Sequence, residues 1–255
     1  MKKIAQFFLK PTVPVVTING QITEKSVIEL EKNLKDIRVS TAKALAVVVN
    51  SPGGSPTQSK KMVDLIHNFA HDNHLTVYTF AEDLAASAGF QVLISGDKVF
   101  ADQQSTLGSI GSITNFMNVK ELILNQGIEI RSVTTNPASV TNQSMFKDVP
   151  EELRHVYENM LQSQHKKFID LVEEQRGSKI KVPKEKRGSL LYNGDVFNGK
   201  QALEYGLIDS IGRVQDVMKE EFPKADVVFP QKPSISGKFM EYAKLYNLFQ
   251  TIYQK

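Results

Sequence analysis

The chain has 255 residues, with 31 lysines and arginines against 28 aspartates and glutamates, for a formal net charge of +3. At 41% hydrophobic and 23% charged residues, it has the composition of a folded globular protein, long enough for one large α/β unit or two small ones. No basic block points to nucleic acid, and the absence of cysteine excludes a disulfide framework, a Cys-ligated metal centre and a thiol nucleophile.

Residues 1–12 form a basic N-terminal segment whose apolar stretch is far shorter than the ~20 residues of a membrane helix. It reads as a frayed terminus, with a targeting remnant as the alternative. Val13–Ile18 and Ala44–Asn50 are rich in β-branched residues and predict strands, while Val27, Ile28, Leu30, Leu34 and Ile37 recur at helical spacing between them. A helix over Ser55–His74 and a buried strand over Leu75–Phe80 extend this to parallel β-α-β units. Further on, the pattern predicts a helix over Ala85–Ile94, a short strand over Lys98–Ala101, a helix over Val119–Asn125 and a strand over Ile128–Thr134. Pro137–Pro150 has neither period and reads as a functional loop. After it come a long helix over Glu151–Gln175, a polar Lys-rich stretch over Arg176–Arg187 and a strand-like Ser189–Tyr192. Helices over Gly199–Tyr205 and Val214–Phe222 and a closing strand over Val227–Phe229 complete a main domain of residues 13–230. Residues 231–255 predict an amphipathic helix whose Phe239, Tyr242, Leu245, Tyr246 and Phe249 suit either packing on the domain or docking of a partner.

Two strand-to-helix turns could carry chemistry. In Asn50-Ser-Pro-Gly-Gly54, paired glycines allow close backbone approach, and the helix start offers unpaired N–H donors to an oxyanion or phosphate; an ordinary structural turn is the alternative. It is not a P-loop, because the Lys-Ser/Thr pair is missing. In Asp83-Leu-Ala-Ala-Ser-Ala-Gly-Phe90, Ser87 stands among small residues at a helix start, where a nucleophile or a close packing contact would both fit. His67, His71 and His74 share one helix without a completing carboxylate, and they read with His155 and His165 as surface residues. Asp64, Glu82 and Asp83 read as caps and surface charges.

Three motifs in order carry a resemblance: Asn50-Ser-Pro-Gly-Gly-Ser55, Glu82-Asp-Leu-Ala-Ala-Ser-Ala-Gly-Phe90 and Leu107-Gly-Ser-Ile-Gly-Ser112. Together they resemble the signal peptide peptidase A family, the protease IV and SohB-like serine peptidases of the ClpP/crotonase superfamily, over about Val13 to Met218. The resemblance implies an α/β fold of repeated ββα and βα units, a mostly parallel sheet flanked by helices, and no metal or cofactor. It places the nucleophile at Ser87, with Ala88 where the family has glycine, the oxyanion donors at the N–H groups of Gly54 and Ala88, and the lysine-orienting serine at Ser109. The single-domain form it resembles occurs in alphaproteobacteria, which implies a mitochondrial location or, alternatively, a bacterial cytoplasm. Relatives form multimers, so the resemblance also implies a homo-oligomer or a subunit of a hetero-complex, with peripheral membrane proximity but no membrane span and no nucleic acid.

One position departs from the pattern. Aligned without gaps between Ile130 and Glu151, the family's general-base lysine falls on Val140. A serine hydroxyl is a poor nucleophile until a base takes its proton, and valine cannot accept one. The expectation is therefore an inactive or very weak peptidase homologue that serves as a structural or interaction subunit. The alternative is an active serine endopeptidase acting on hydrophobic or membrane-derived peptides, with Lys147 or a lysine from a neighbouring subunit as base. A crotonase-like acyl-CoA enzyme shares the superfamily but not the Ser87 and Gly-Ser-Ile-Gly motifs.

Overall fold

Strand β1 (Thr12–Asn19) leads into helix α1 (Glu24–Lys35), where Thr23 and Ser26 close a reciprocal capping box. Then follow β2 (Ala44–Ser51), α2 (Pro56–Asp72), β3 (Thr76–Ala86) and α3 (Ala88–Leu93). This is the computed structural model of the protein, and it describes residues 10–131 and 145–229. Beyond α3 lie β4 (Lys98–Ala101), β5 (Thr106–Gly108), α4 (Lys120–Asn125), α5 (Glu151–Arg176), α6 (Lys184–Leu190), β6 (Val196–Asn198), α7 (Gly199–Tyr205), β7 (Ser210–Ile211), α8 (Val214–Glu221) and β8 (Asp226–Val228).

The strands form one mixed sheet in the order β6-β5-β3-β2-β1-β8, with β4 on the first half of β3 and β7 on β4. Every pairing is parallel except β5 with β6. The run Ala-Leu-Ala-Val-Val-Val in β2 is buried throughout, as a strand covered on both faces requires. Its alternate residues divide between two cores. Leu45, Val47 and Val49 pack with Leu30, Met62, Ile66 and Phe90 from α1, α2 and α3, whereas Ala44, Ala46 and Val48 pack with Val214 and Met218 of α8. A mostly parallel α/β sheet flanked by helices is therefore the observed fold.

Several local expectations are corrected. The strand expected to stop at Phe80 continues to Ala86, and the helix expected from Ala85 starts only at Ala88. The cause is nonlocal: Leu84, Ala85 and Ala86 pair with Thr106, Leu107 and Gly108, which overrides the helical preference of an alanine-rich stretch. The strand-like Ser189–Tyr192 belongs instead to the end of α6 and the residues after it. There Arg187, only 7% exposed, bonds the Val182 carbonyl and pairs with Glu173, while Leu191 and Tyr192 turn inward. Residues 128–131 are not a strand, and Ile128 and Ile130 are exposed. The rest of that expected strand lies outside the described residues, as do Val140 and the C-terminal face of Phe239, Tyr242, Leu245, Tyr246 and Phe249. His67 is also no surface residue: it is half-buried, with Nε2 2.7 Å from the Ser95 carbonyl oxygen.

Candidate active site

β2 and β3 deliver their two turns to the same place. β3 shifts register against β2 between Val49 and Ser51, and its last residues then align Ser51 with Ala85. A Cβ on Gly53 would stand 2.8 Å from the Ser87 Cβ, 2.9 Å from the Ala86 oxygen and 3.1 Å from the Ala88 nitrogen. Only glycine fits there, and its φ of +106° is one that other residues rarely adopt. Gly89 meets the same turn from the other side, its missing Cβ being 2.8 Å from the Ser51 oxygen. The glycines thus let two backbones touch at the serine.

Ser87 has φ +52° and ψ −124°, the values a glycine takes at the first central position of a type II′ turn. For a residue with a side chain this costs on the order of 1–3 kcal/mol, strain that the surrounding structure has to hold. Two bonds do so: the Ser87 N–H donates to the Gly108 carbonyl at 2.8 Å, and the Gln91 N–H donates to the Ser87 carbonyl at 3.1 Å. With its own N–H engaged, Ser87 leaves the N–H of Ala88 as the donor beside it, at the first position of α3 where no intrahelical acceptor exists. The Gly53 N–H is also engaged, by Ser51 Oγ at 3.1 Å. Gly54 differs. The Ile22 N–H and carbonyl bond to the Gly53 carbonyl and the Ser55 N–H on either side of it, so its own N–H faces away from that bridge. Gly54 and Ala88 are therefore the free donors of the two touching turns.

Ser109 lies one residue past β5, as Ser87 lies one residue past β3, and those strand ends pair at Ala86 and Gly108. Its φ is also positive, at +51°, and its N–H donates to the Asp195 carbonyl at 2.8 Å. The preceding Gly108 has no room for a side chain, because a Cβ would stand 2.7 Å from the Phe197 ring. Both half-buried serines are thus fixed by backbone bonds at adjacent strand ends.

Acidic residues gather further back on β3, four and five positions before Ser87. Where β3 passes from β4 to β5, Glu82, Asp83, Asp102, Gln104 and Arg213 line a cavity of about 550 Å³. The Gln104 N–H and Arg213 hold the Asp102 carboxyl below its ordinary range. Asn50 Nδ2 donates to Asp83 at 3.3 Å, tying the glycine turn to β3. Glu82 and Asp83 read in sequence as caps and surface charges, and only the switch of β3 between two neighbours brings them together with Asp102.

Among the described residues, neither the Ser87 nor the Ser109 hydroxyl has a hydrogen-bond partner. Lys147 is exposed, and it too makes no hydrogen bond or ion pair with a described residue. Its loop is held against the residues before α4, with the Val119 N–H donating to the Met145 carbonyl and Asp148 accepting from Asn118 and Lys120. Residues 132–144 read Ser-Val-Thr-Thr-Asn-Pro-Ala-Ser-Val-Thr-Asn-Gln-Ser, without a single titratable side chain. Any register shift that moves the lysine position off Val140 within this stretch still finds no base. Among the described residues, no cluster of three or more His, Asp or Glu could hold a metal.

Comparison with known proteins bears on this geometry. The profile described as Peptidase family S49 matches residues 70–227, more than half of the chain, from the helix before β3 to β8. The chain belongs to peptidase family S49. It is also similar to a Na(+)/H(+) antiporter NhaA of Brucella abortus, at 30% identity over 90% of this chain and 29% of that protein. A protein of Enterococcus faecium bearing the name signal peptide peptidase SppA is 28% identical over 72% of this chain and 52% of its own length. Protease 4 of Haemophilus influenzae is 27% identical over 71% of this chain and 28% of its own length. The chain thus spans less than a third of the first and last of these relatives and about half of the second. No helix among the described residues is long and apolar enough to cross a membrane. The S49 membership joins the chain to protease-type proteins, and the signal peptide peptidase A resemblance read from its three motifs stands.

Proposed function

We propose that this S49 protein is a peptidase homologue that keeps the nucleophile position and oxyanion donors but has lost the general base, and that it serves as a structural or interaction subunit. The observation that carries this reading is the composition of residues 132–144, which hold no titratable side chain to act as a base where the resemblance places the lysine. A base contributes ~10²–10⁴ in rate to such chemistry. An oxyanion hole alone leaves only ~10³ over water. In this reading Gly54 and Ala88 would polarise a bound carbonyl, Ser109 would have no lysine to orient, and Ser87 would stay protonated.

A hydrophobic peptide substrate assayed with wild type, Ser87→Ala and Val140→Lys tests the proposal. Wild type and Ser87→Ala are expected to be indistinguishable, and Val140→Lys is expected to rise above both. Wild-type turnover well above Ser87→Ala would overturn the proposal.

One observation favours the second reading, an active serine endopeptidase on hydrophobic or membrane-derived peptides. Ser87 retains a strained backbone that costs stability and needs a reason to persist. In that reading Lys147 or a lysine of a neighbouring subunit is the base, and Lys147→Ala separates those two sources.

A further inference from the structure

One edge of the sheet is left unfinished. β2 pairs with β1 as far as Asn19, but on the outer side β8 meets only Thr12, Val13 and Pro14. The Asp226 N–H donates to the Pro11 carbonyl, so the odd-numbered residues of β1 turn their backbone groups outward. Thr17 and Asn19 therefore present N–H and C=O groups that no strand among the described residues meets. Donors of a parallel ladder alternate along the added strand, and after Asp226 and Val228 the next is residue 230, a proline without an N–H. Beside this edge, Pro14 and Val15, Asn33 of α1 with Ile37 just after it, and Val228 and Phe229 line a groove of about 460 Å³. Val228 is 46% exposed and Phe229 38%. The charges of the lining balance: Lys10 pairs with Asp226, and Asp36 and Arg38 are of opposite sign. An apolar occupant suits such a groove better than a charged one.

We propose that this groove is the docking site of the chain's own C-terminal segment, residues 231–255, which lays Phe239, Tyr242, Tyr246 and Phe249 over the groove and the open edge of β1. Continuity supports this occupant, because Phe229 lines the groove and the segment begins two residues later. Direction supports it too. β8 runs parallel to β1, so the chain leaves β8 heading along the open residues 15–19, whereas residues 1–9 enter β1 from its other end. The lengths fit: residues 230–238 reach up to ~30 Å when extended, the open stretch of β1 is ~16 Å long, and a helix over residues 237–255 spans ~28 Å. The four aromatic residues recur at i, i+3, i+7 and i+10, one face of such a helix. Proline at residue 230 thus ends the ladder, and the segment covers as a helix the edge it cannot extend as a strand, which keeps foreign strands from pairing there. Tethering at millimolar effective concentration lets even a weak contact close. The inference holds whether or not Ser87 is active.

The chain has no tryptophan, so Phe229→Trp in the full chain places a single fluorescent reporter in the groove, read by acrylamide quenching. Adding Tyr242→Asp with Tyr246→Asp is expected to raise the quenching constant about threefold or more, because the aspartates cannot be buried against an apolar wall. Phe7→Asp with Phe8→Asp is expected to leave it unchanged. Since the contact is within one chain, the shielding is expected to be the same at about 50 µM and at about 1 µM. Equal quenching with and without the C-terminal substitutions overturns the proposal. So does shielding lost only with the N-terminal substitutions, or shielding lost on dilution, which would make the occupant a second copy. Should the Phe229→Trp chain fail to fold, Asn33→Cys in this cysteine-free chain reports from the α1 wall. Faster maleimide labelling of that thiol with Tyr242→Asp and Tyr246→Asp supports the proposal, and an unchanged rate overturns it.

Discussion

Ser87 sits where the chain would be more comfortable with glycine. Its φ of +52° and ψ of −124° suit a residue without a Cβ, and its side chain adds only a hydroxyl, the group the proposed reading places at the nucleophile position. Ser87→Gly is therefore expected to stabilise the protein by about 1 kcal/mol in urea denaturation, strain relief exceeding the entropy cost of glycine. Gly53→Ala is expected to do the reverse. Its Cβ would stand 2.8 Å from the Ser87 Cβ at φ +106°, so a loss of at least ~2 kcal/mol is expected in the same measurement. The glycines and serines of this centre were legible because they are motif residues. The Gly53–Ser87 contact and the engaged Gly53 N–H were not, since both depend on two strands separated by a helix.

At the scale of elements, the end of α5 shows how a polar stretch can be part of the interior. Arg176, 1% exposed, reaches Asp209 with two bonds of 3.0 Å and the Gly206 carbonyl at 3.2 Å; Asp209 also accepts from Lys179 and from the Val99 N–H. This joins α5 to β4 and to the turn before β7. Burial works to raise the Asp209 carboxyl, but the bonds from Arg176, Lys179 and Val99 outweigh it and hold the group at about 2, below its ordinary 3.8. A carboxylate more acidic in the folded state stabilises the fold at neutral pH. That contribution is present above pH ~4, declines as the unfolded state takes up protons first, and is gone below about 2. Asp209→Asn is expected to cost about 3 kcal/mol at pH 7, because it leaves a buried arginine without its counter-charge. Urea midpoints of wild type and variant should converge as pH falls toward 2. In sequence Arg176–Arg187 is only a polar, Lys-rich stretch; the partners of its arginines, Glu173 and Asp209, come together only in the fold. The same limit explains β5, β6 and β7, which are two or three residues long and owe their existence to partners rather than to local preference.

For the whole molecule, the parallel sheet was the most legible feature. Buried β-branched runs alternating with amphipathic helices leave few other ways to cover β1, β2 and β3 on both faces. What local pattern could not supply was the antiparallel β6 at the sheet edge and the exposure of Ile113, Met117, Leu122, Leu124 and Ile128 after β5. In the proposed reading, the S49 fold positions Ser87 beside the N–H groups of Gly54 and Ala88 without a base to activate it. Intact-mass analysis after incubation with a fluorophosphonate, comparing wild type with Ser87→Ala, tests that claim most directly. No adduct on wild type beyond the Ser87→Ala background is the expected result; stoichiometric modification of Ser87 would contradict the account.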